Sequence, residues 1–93
     1  MPYVNEDRRT HFRNALISLR AAIGADCTPG DLNYVFTKAA LAYVEGRGLN
    51  YARINDVMGA LEGAKQEFYR RVAAPYEDSK IAQNGDVYLK VPA

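Results

Sequence analysis

Side chains able to recognise a ligand crowd into the last third of the chain. Tyr69, Arg70 and Arg71 stand in a row, Tyr76 and Lys80 follow one turn apart, and Asn84 and Tyr88 lie just beyond, with Gln66 one turn before Arg70. Seven of the ten aromatic residues are tyrosine, and eight of the twelve cations are arginine. A guanidinium grips phosphate through two parallel hydrogen bonds, while a phenol stacks on a base or sugar and offers one hydroxyl. The chemistry this mix suits is non-covalent capture of an anionic, nucleotide-like molecule. Arg70, Arg71 and Lys80 would meet its charge, Tyr69, Tyr76 and Tyr88 would stack or bond, and Gln66 and Asn84 complete the candidate set. The same block also reads as a salt-bridged helix end with tyrosines capping a core. Arg70 and Arg71 point about 100° apart on a helix, so one chain cannot aim both at one pocket. One of them reads as a structural partner for Glu67, and Arg70 is preferred for the ligand.

Catalytic chemistry has little to work with. Cys27 adjoins a helix start, where the positive helix end can lower a thiol pKa, and His11 is the sole candidate to activate it. A small packed cysteine is the simpler reading. With one cysteine and one histidine, neither an internal disulfide nor a His/Cys zinc site can form. Glu6-Asp7 and Glu77-Asp78 are sequence neighbours at helix starts, where capping explains them. No glycine-rich phosphate loop, serine elbow or H-E-x-x-H is present. The expectation is a protein with no catalytic residues, no metal and no cofactor. A formal net charge of +1 argues against generic binding to DNA or anionic membranes. Arg9, Arg13 and Arg20 fall within about 40° on the first helix and read as a solvated stripe, so nucleic acid is not an expected partner. Without a signal-peptide pattern or an apolar run of 18 residues, the chain is expected to stay in the cytoplasm and not to span a membrane.

Three amphipathic helices must position these groups. Asn5 caps the first, over about residues 6–23, with Phe12, Leu16, Leu19 and Ile23 as its stripe and Gly24 as its stop. Thr28-Pro29-Gly30-Asp31 starts the second, running to about Glu45 along Leu32, Val35, Phe36, Ala39 and Tyr43, with Gly46 and Gly48 as stops. Asn50 caps a third from Tyr51 to Ala74, whose line is Ile54, Val57, Met58, Leu61, Ala64, Phe68 and Val72. Pro75 forbids simple continuation. Beyond it lies either a short helix over Tyr76–Gln83 with an αL stop at Asn84-Gly85, or a hairpin turning at Asn84-Gly85; the helix is preferred. Val87, Tyr88, Leu89 and Val91 are expected to anchor a segment folded back on the body, with Tyr88 near Tyr69 and Arg70 if the chain returns along the third helix.

A 93-residue chain has room for one domain, residues 1–93, and a compact monomer of this size buries about 60 to 65% of its extended surface. That modest core makes help from a second copy attractive. Gly59 and Gly63 lie opposite the apolar line of the third helix, each costing about 1 kcal/mol relative to alanine. Something should therefore approach closely: a tight helix crossing within the fold or between subunits, or a ligand floor bounded by Arg70 and Gln66. Tyr34, Leu41 and Val44 give the second helix an extra apolar face. The fold expected is all-α, three main helices plus a short C-terminal helix or extended arm, assembled as a homo-oligomer.

The string from Glu67 to Lys80, EFYRRVAAPYEDSK, ending in Asn84-Gly85-Asp86-Val87-Tyr88, resembles a family of short uncharacterised proteins encoded largely by tailed bacteriophages. Asp31-Leu32-Asn33-Tyr34-Val35 and Gly48-Leu49-Asn50-Tyr51 look like upstream signatures of the same family, so the resemblance covers about residues 31–88, with the first helix alike only in character. It implies a viral protein in a bacterial host cytoplasm, where small phage proteins often counter defences. Some sequester nucleotide-derived immune signals using compact oligomers rich in arginine and tyrosine. The expected function is such sequestration through Arg and Tyr residues at an oligomer interface. The alternative is a protein–protein interaction module that binds and inhibits a host protein and takes no small molecule.

Overall fold

The computed structural model describes residues 4–88. Among them the chain forms α1 (Glu6–Ile23), α2 (Pro29–Glu45), α3 (Tyr51–Phe68), a π-helical turn (Tyr69–Ala73) and α4 (Ala74–Asn84), with no strand. It is an all-α protein, and the hairpin alternative for the C-terminal segment does not form. Leu89 and Val91, expected to act as anchors, lie outside the described residues. The chain divides into two units, Met1–Ile54 and Asn55–Ala93, the division falling at the end of the first turn of α3.

In the first unit the helix starts follow from short polar side chains. Asn5 holds an extended backbone, and its Oδ1 accepts the Arg8 N–H at 3.0 Å. At α2 the cap is reciprocal: the Asp31 N–H donates to Thr28 Oγ1 at 3.1 Å, and the Thr28 N–H donates to Asp31 Oδ2 at 3.0 Å. Two donors that helix geometry would orphan are thereby satisfied. Gly24 ends α1 at φ 42°, a left-handed value costly for any side chain. At the end of α2, Val44 O accepts the N–H groups of Arg47 and Gly48. Arg47 Nη1 donates to Tyr43 O at 2.6 Å, and its guanidinium lies 4.1 Å from the Tyr43 ring centroid. Asn50 caps α3, accepting the Arg53 N–H at 2.9 Å.

The apolar stripes are where periodicity puts them, but they do not close over a core. Among the described residues no side chain is buried. Leu19, Ile23, Cys27 and Val35, near the turn joining α1 to α2, are half-buried. Farther along, Phe12 is 43% and Phe36 51% exposed. Two helices shelter side chains only where they meet, and a stripe needs a surface against it along its whole length.

In the second unit Pro75 does not interrupt the helix, contrary to expectation. Helical backbone runs from α3 through the π-turn into α4, and the Ala74 N–H donates to Tyr69 O, five residues back. A proline has no N–H for the preceding turn and its ring crowds the carbonyl four residues earlier, so the wider π-turn absorbs it where an α-turn would clash. The third helix therefore ends as an α-helix at Phe68, earlier than the expected Ala74. Gly85 stops α4 at φ 88°, ψ 151°, its N–H donating to Ile81 O at 2.8 Å. The positive φ was expected; the extended ψ departs from an αL stop. Among the described residues of the second unit, nothing within 4 Å would meet a Cβ on Gly59.

Candidate functional site

All eight candidate residues lie in the second unit, and the structure sets six of them in two hollows. The larger, about 590 Å³, is lined by Gln66, Tyr69 and Arg70 together with Glu62, Lys65 and Glu67. Residues three and four apart share a helix face, which is why Gln66, Tyr69 and Arg70 come together. The smaller, about 260 Å³, includes Tyr76, Lys80, Asp86 and Tyr88. Arg71 and Asn84 line neither.

The larger hollow balances its charges. Arg70 Nη2 meets both Glu67 oxygens, at 2.9 and 3.2 Å, so Arg70 is the arginine that pairs with Glu67. Lys65 Nζ stands 3.9 Å from Glu62 Oε2, and Gln66 Nε2 donates to Glu62 Oε1 at 3.1 Å. Two carboxylates thus sit beside two cations, and an incoming anion would compete with them. Glu62 and Lys65 were not among the residues singled out from sequence. Their three-residue spacing, with Gln66 four beyond Glu62, carried the signal.

The smaller hollow is made by the turn after Gly85. The Tyr88 N–H donates to Asp86 Oδ1 at 2.9 Å, which curls Asp86–Tyr88 back beside α4. Lys80 Nζ lies 5.4 Å from the Tyr76 ring centroid, within cation–π range. This turn sets Tyr88 with Tyr76 and Lys80, and not with Tyr69 and Arg70. Val87 and Tyr88 remain 91% and 84% exposed, so they anchor little.

A third hollow, about 260 Å³, lies in the first unit between the end of α1 and the start of α2, with Leu19, Ile23, Cys27, Tyr34 and Val35 among the residues that line it. Cys27 Sγ approaches Thr28 O at 3.7 Å. His11 lines no part of it and packs edge-on to Phe12, ring centroids 4.8 Å apart, so no cysteine–histidine pairing is assembled there. Along α1, Arg9 Nε donates to Val4 O at 2.7 Å and the Arg8 guanidinium lies 5.3 Å from the Phe12 centroid. Among the described residues no group of histidine, cysteine and carboxylate side chains is placed to hold a metal ion. Among them no helix is long and apolar enough to cross a membrane.

No curated protein and no solved structure matches the chain. One family model does match, over residues 1–87, and so takes in α1. The chain belongs to the family described as Domain of unknown function (DUF6899).

Proposed function

We propose that this chain is a non-enzymatic protein–protein interaction module that self-associates and binds a host protein. One observation carries the reading: residues of the amphipathic stripes stand in water, among them Met58 at 62%, Phe68 at 64% and Val72 at 52% exposed. Exposed apolar residues recurring along a helix face favour a protein contact. A second copy covers the stripes, and the Arg/Tyr end formed by Tyr69, Arg70, Arg71, Tyr76 and Lys80 faces the further partner, tyrosine and arginine being favoured where an interface is fully desolvated. The resemblance to phage-encoded proteins supports a setting in the host cytoplasm and a role against host defence.

Sequestration of a nucleotide-derived ligand is the second reading, favoured by the shared hollow of Gln66, Tyr69 and Arg70. It ranks below the first because Glu67 and Glu62 already meet the cations there. Calorimetry against cyclic dinucleotides, ADP-ribose derivatives and mononucleotides separates the two. Silence across that panel, with one host protein recovered in stoichiometric amount on the tagged chain, is the expected outcome. Stoichiometric nucleotide binding, lost in Arg70→Ala, would reverse the order.

A further inference from the structure

We propose that Pro75 is a positioning residue for the contact face of α3 and α4: through the π-turn it moves Tyr76 and Lys80 off the helix face of Tyr69 and onto that of Phe68. This rests on the self-association proposed above, and it divides the Arg/Tyr end between two faces. In an uninterrupted α-helix, side chains seven or eleven residues apart share a face, each falling within about 20° of a whole number of turns. Tyr76 and Lys80 lie seven and eleven residues beyond Tyr69, so a continuous α-helix would align all three.

The observed turn closes from the Ala74 N–H onto Tyr69 O, five residues back, and so holds one residue more than an α-turn. Every side chain beyond it lags by about one α-helical step, roughly 100°. The alignment that Tyr69 would have had passes to Phe68, one position earlier. Phe68 itself lies seven residues beyond Leu61, so the apolar line of α3 runs on into Tyr76 and Lys80 of α4. These two form a cation–π pair at 5.4 Å and line one hollow, while Tyr69 lines the other with Gln66. An α-turn would instead end the Leu61–Phe68 line on residue 75 and Ser79, seven and eleven beyond Phe68. Pro75 opposes that turn because it has no N–H for the Arg71 carbonyl and its ring crowds the same group. The proline thus gives the line a tyrosine and a long lysine stem where two small side chains would stand, and tyrosine is among the strongest contributors to protein contacts. All of these residues belong to the second unit.

Scalar couplings across hydrogen bonds in isotope-labelled protein, together with sedimentation, test this on the parent, on Pro75→Ala, and on Pro75→Ala with Ala74 deleted. The parent should couple the Ala74 N–H to the Tyr69 carbonyl, and Pro75→Ala should move that coupling to the Arg70 carbonyl. Pro75→Ala should self-associate about tenfold more weakly, although its helix is the more stable, because Tyr76 and Lys80 leave the Phe68 line. Deleting Ala74 takes the extra residue out of the α-helical run, returns Tyr76 and Lys80 to that line, and should restore association. A coupling that stays on Tyr69 in Pro75→Ala, an α-turn there with undiminished association, or association that the deletion does not restore would each overturn the proposal and leave self-association standing. A parent that is monomeric at every concentration would overturn both.

Discussion

Replacing Glu67 by glutamine keeps the length and helix propensity of the side chain and removes the charge that holds Arg70. The pair has good geometry, two contacts at 2.9 and 3.2 Å, but it is not sheltered: the Arg70 side chain is 63% exposed and that of Glu67 29%. In a solvated setting an i,i+3 pair is worth about 0.3 to 0.5 kcal/mol, and screening by salt weakens it further. Glu67→Gln should therefore lower stability by about 0.5 kcal/mol in 50 mM salt, a drop of roughly 2 to 4 °C in melting temperature for a chain of this size, and by less in 0.5 M salt. The same variant weighs the two functional readings. If the larger hollow takes an anion, removing the competing carboxylate should raise nucleotide affinity about two- to fivefold, the equivalent of about 0.5 to 1 kcal/mol. On the interaction reading, thermal-shift and calorimetric titrations stay silent in parent and variant alike, which is the outcome expected. A nucleotide-dependent rise in melting temperature that grows in Glu67→Gln would refute that ordering. A stability loss above about 2 kcal/mol would refute the premise that the pair is solvent-screened.

Three other substitutions probe how the helices are held. Thr28→Ala breaks the reciprocal cap of α2 and should cost about 1 kcal/mol, read as a lower urea midpoint with an unchanged slope. Gly85→Ala meets no neighbouring atom within 4 Å, so its cost is backbone strain at φ 88°, about 1 to 3 kcal/mol locally; the Tyr88 amide should exchange faster as the Asp86 turn opens. Pro75→Ala restores an N–H in the middle of a long helical run and should raise stability by about 1 kcal/mol or more, with the new amide protected from exchange.

What could be read from the sequence was local. Asn5, Asn50 and the Thr28-Pro29-Gly30-Asp31 string mark helix starts because each supplies an acceptor for a donor the helix cannot pair itself. The π-turn was not legible. Strong helix formers on both sides of Pro75 favour continuation while the proline opposes an α-turn, and only the whole structure decides between a break and a widened turn. The grouping of Gln66, Tyr69 and Arg70 followed from spacing along one helix. The separation of Tyr88 from them did not, because it depends on the backbone of Gly85 and the Asp86 acceptor. Periodicity likewise names the apolar face of each helix without naming what covers it.

The same gap bears on the choice between functions. A small-molecule site buries most of its ligand, commonly 70 to 90% of the ligand surface. Tyr69, Tyr76 and Tyr88 are 55, 62 and 84% exposed, so none is yet a wall of such a site. Wrapping a nucleotide would need a further surface brought against these tyrosines, and the uncovered stripes of α3 and α4 are what would recruit it. On the reading proposed here, protein association would then precede any ligand capture by Arg70 and its neighbours.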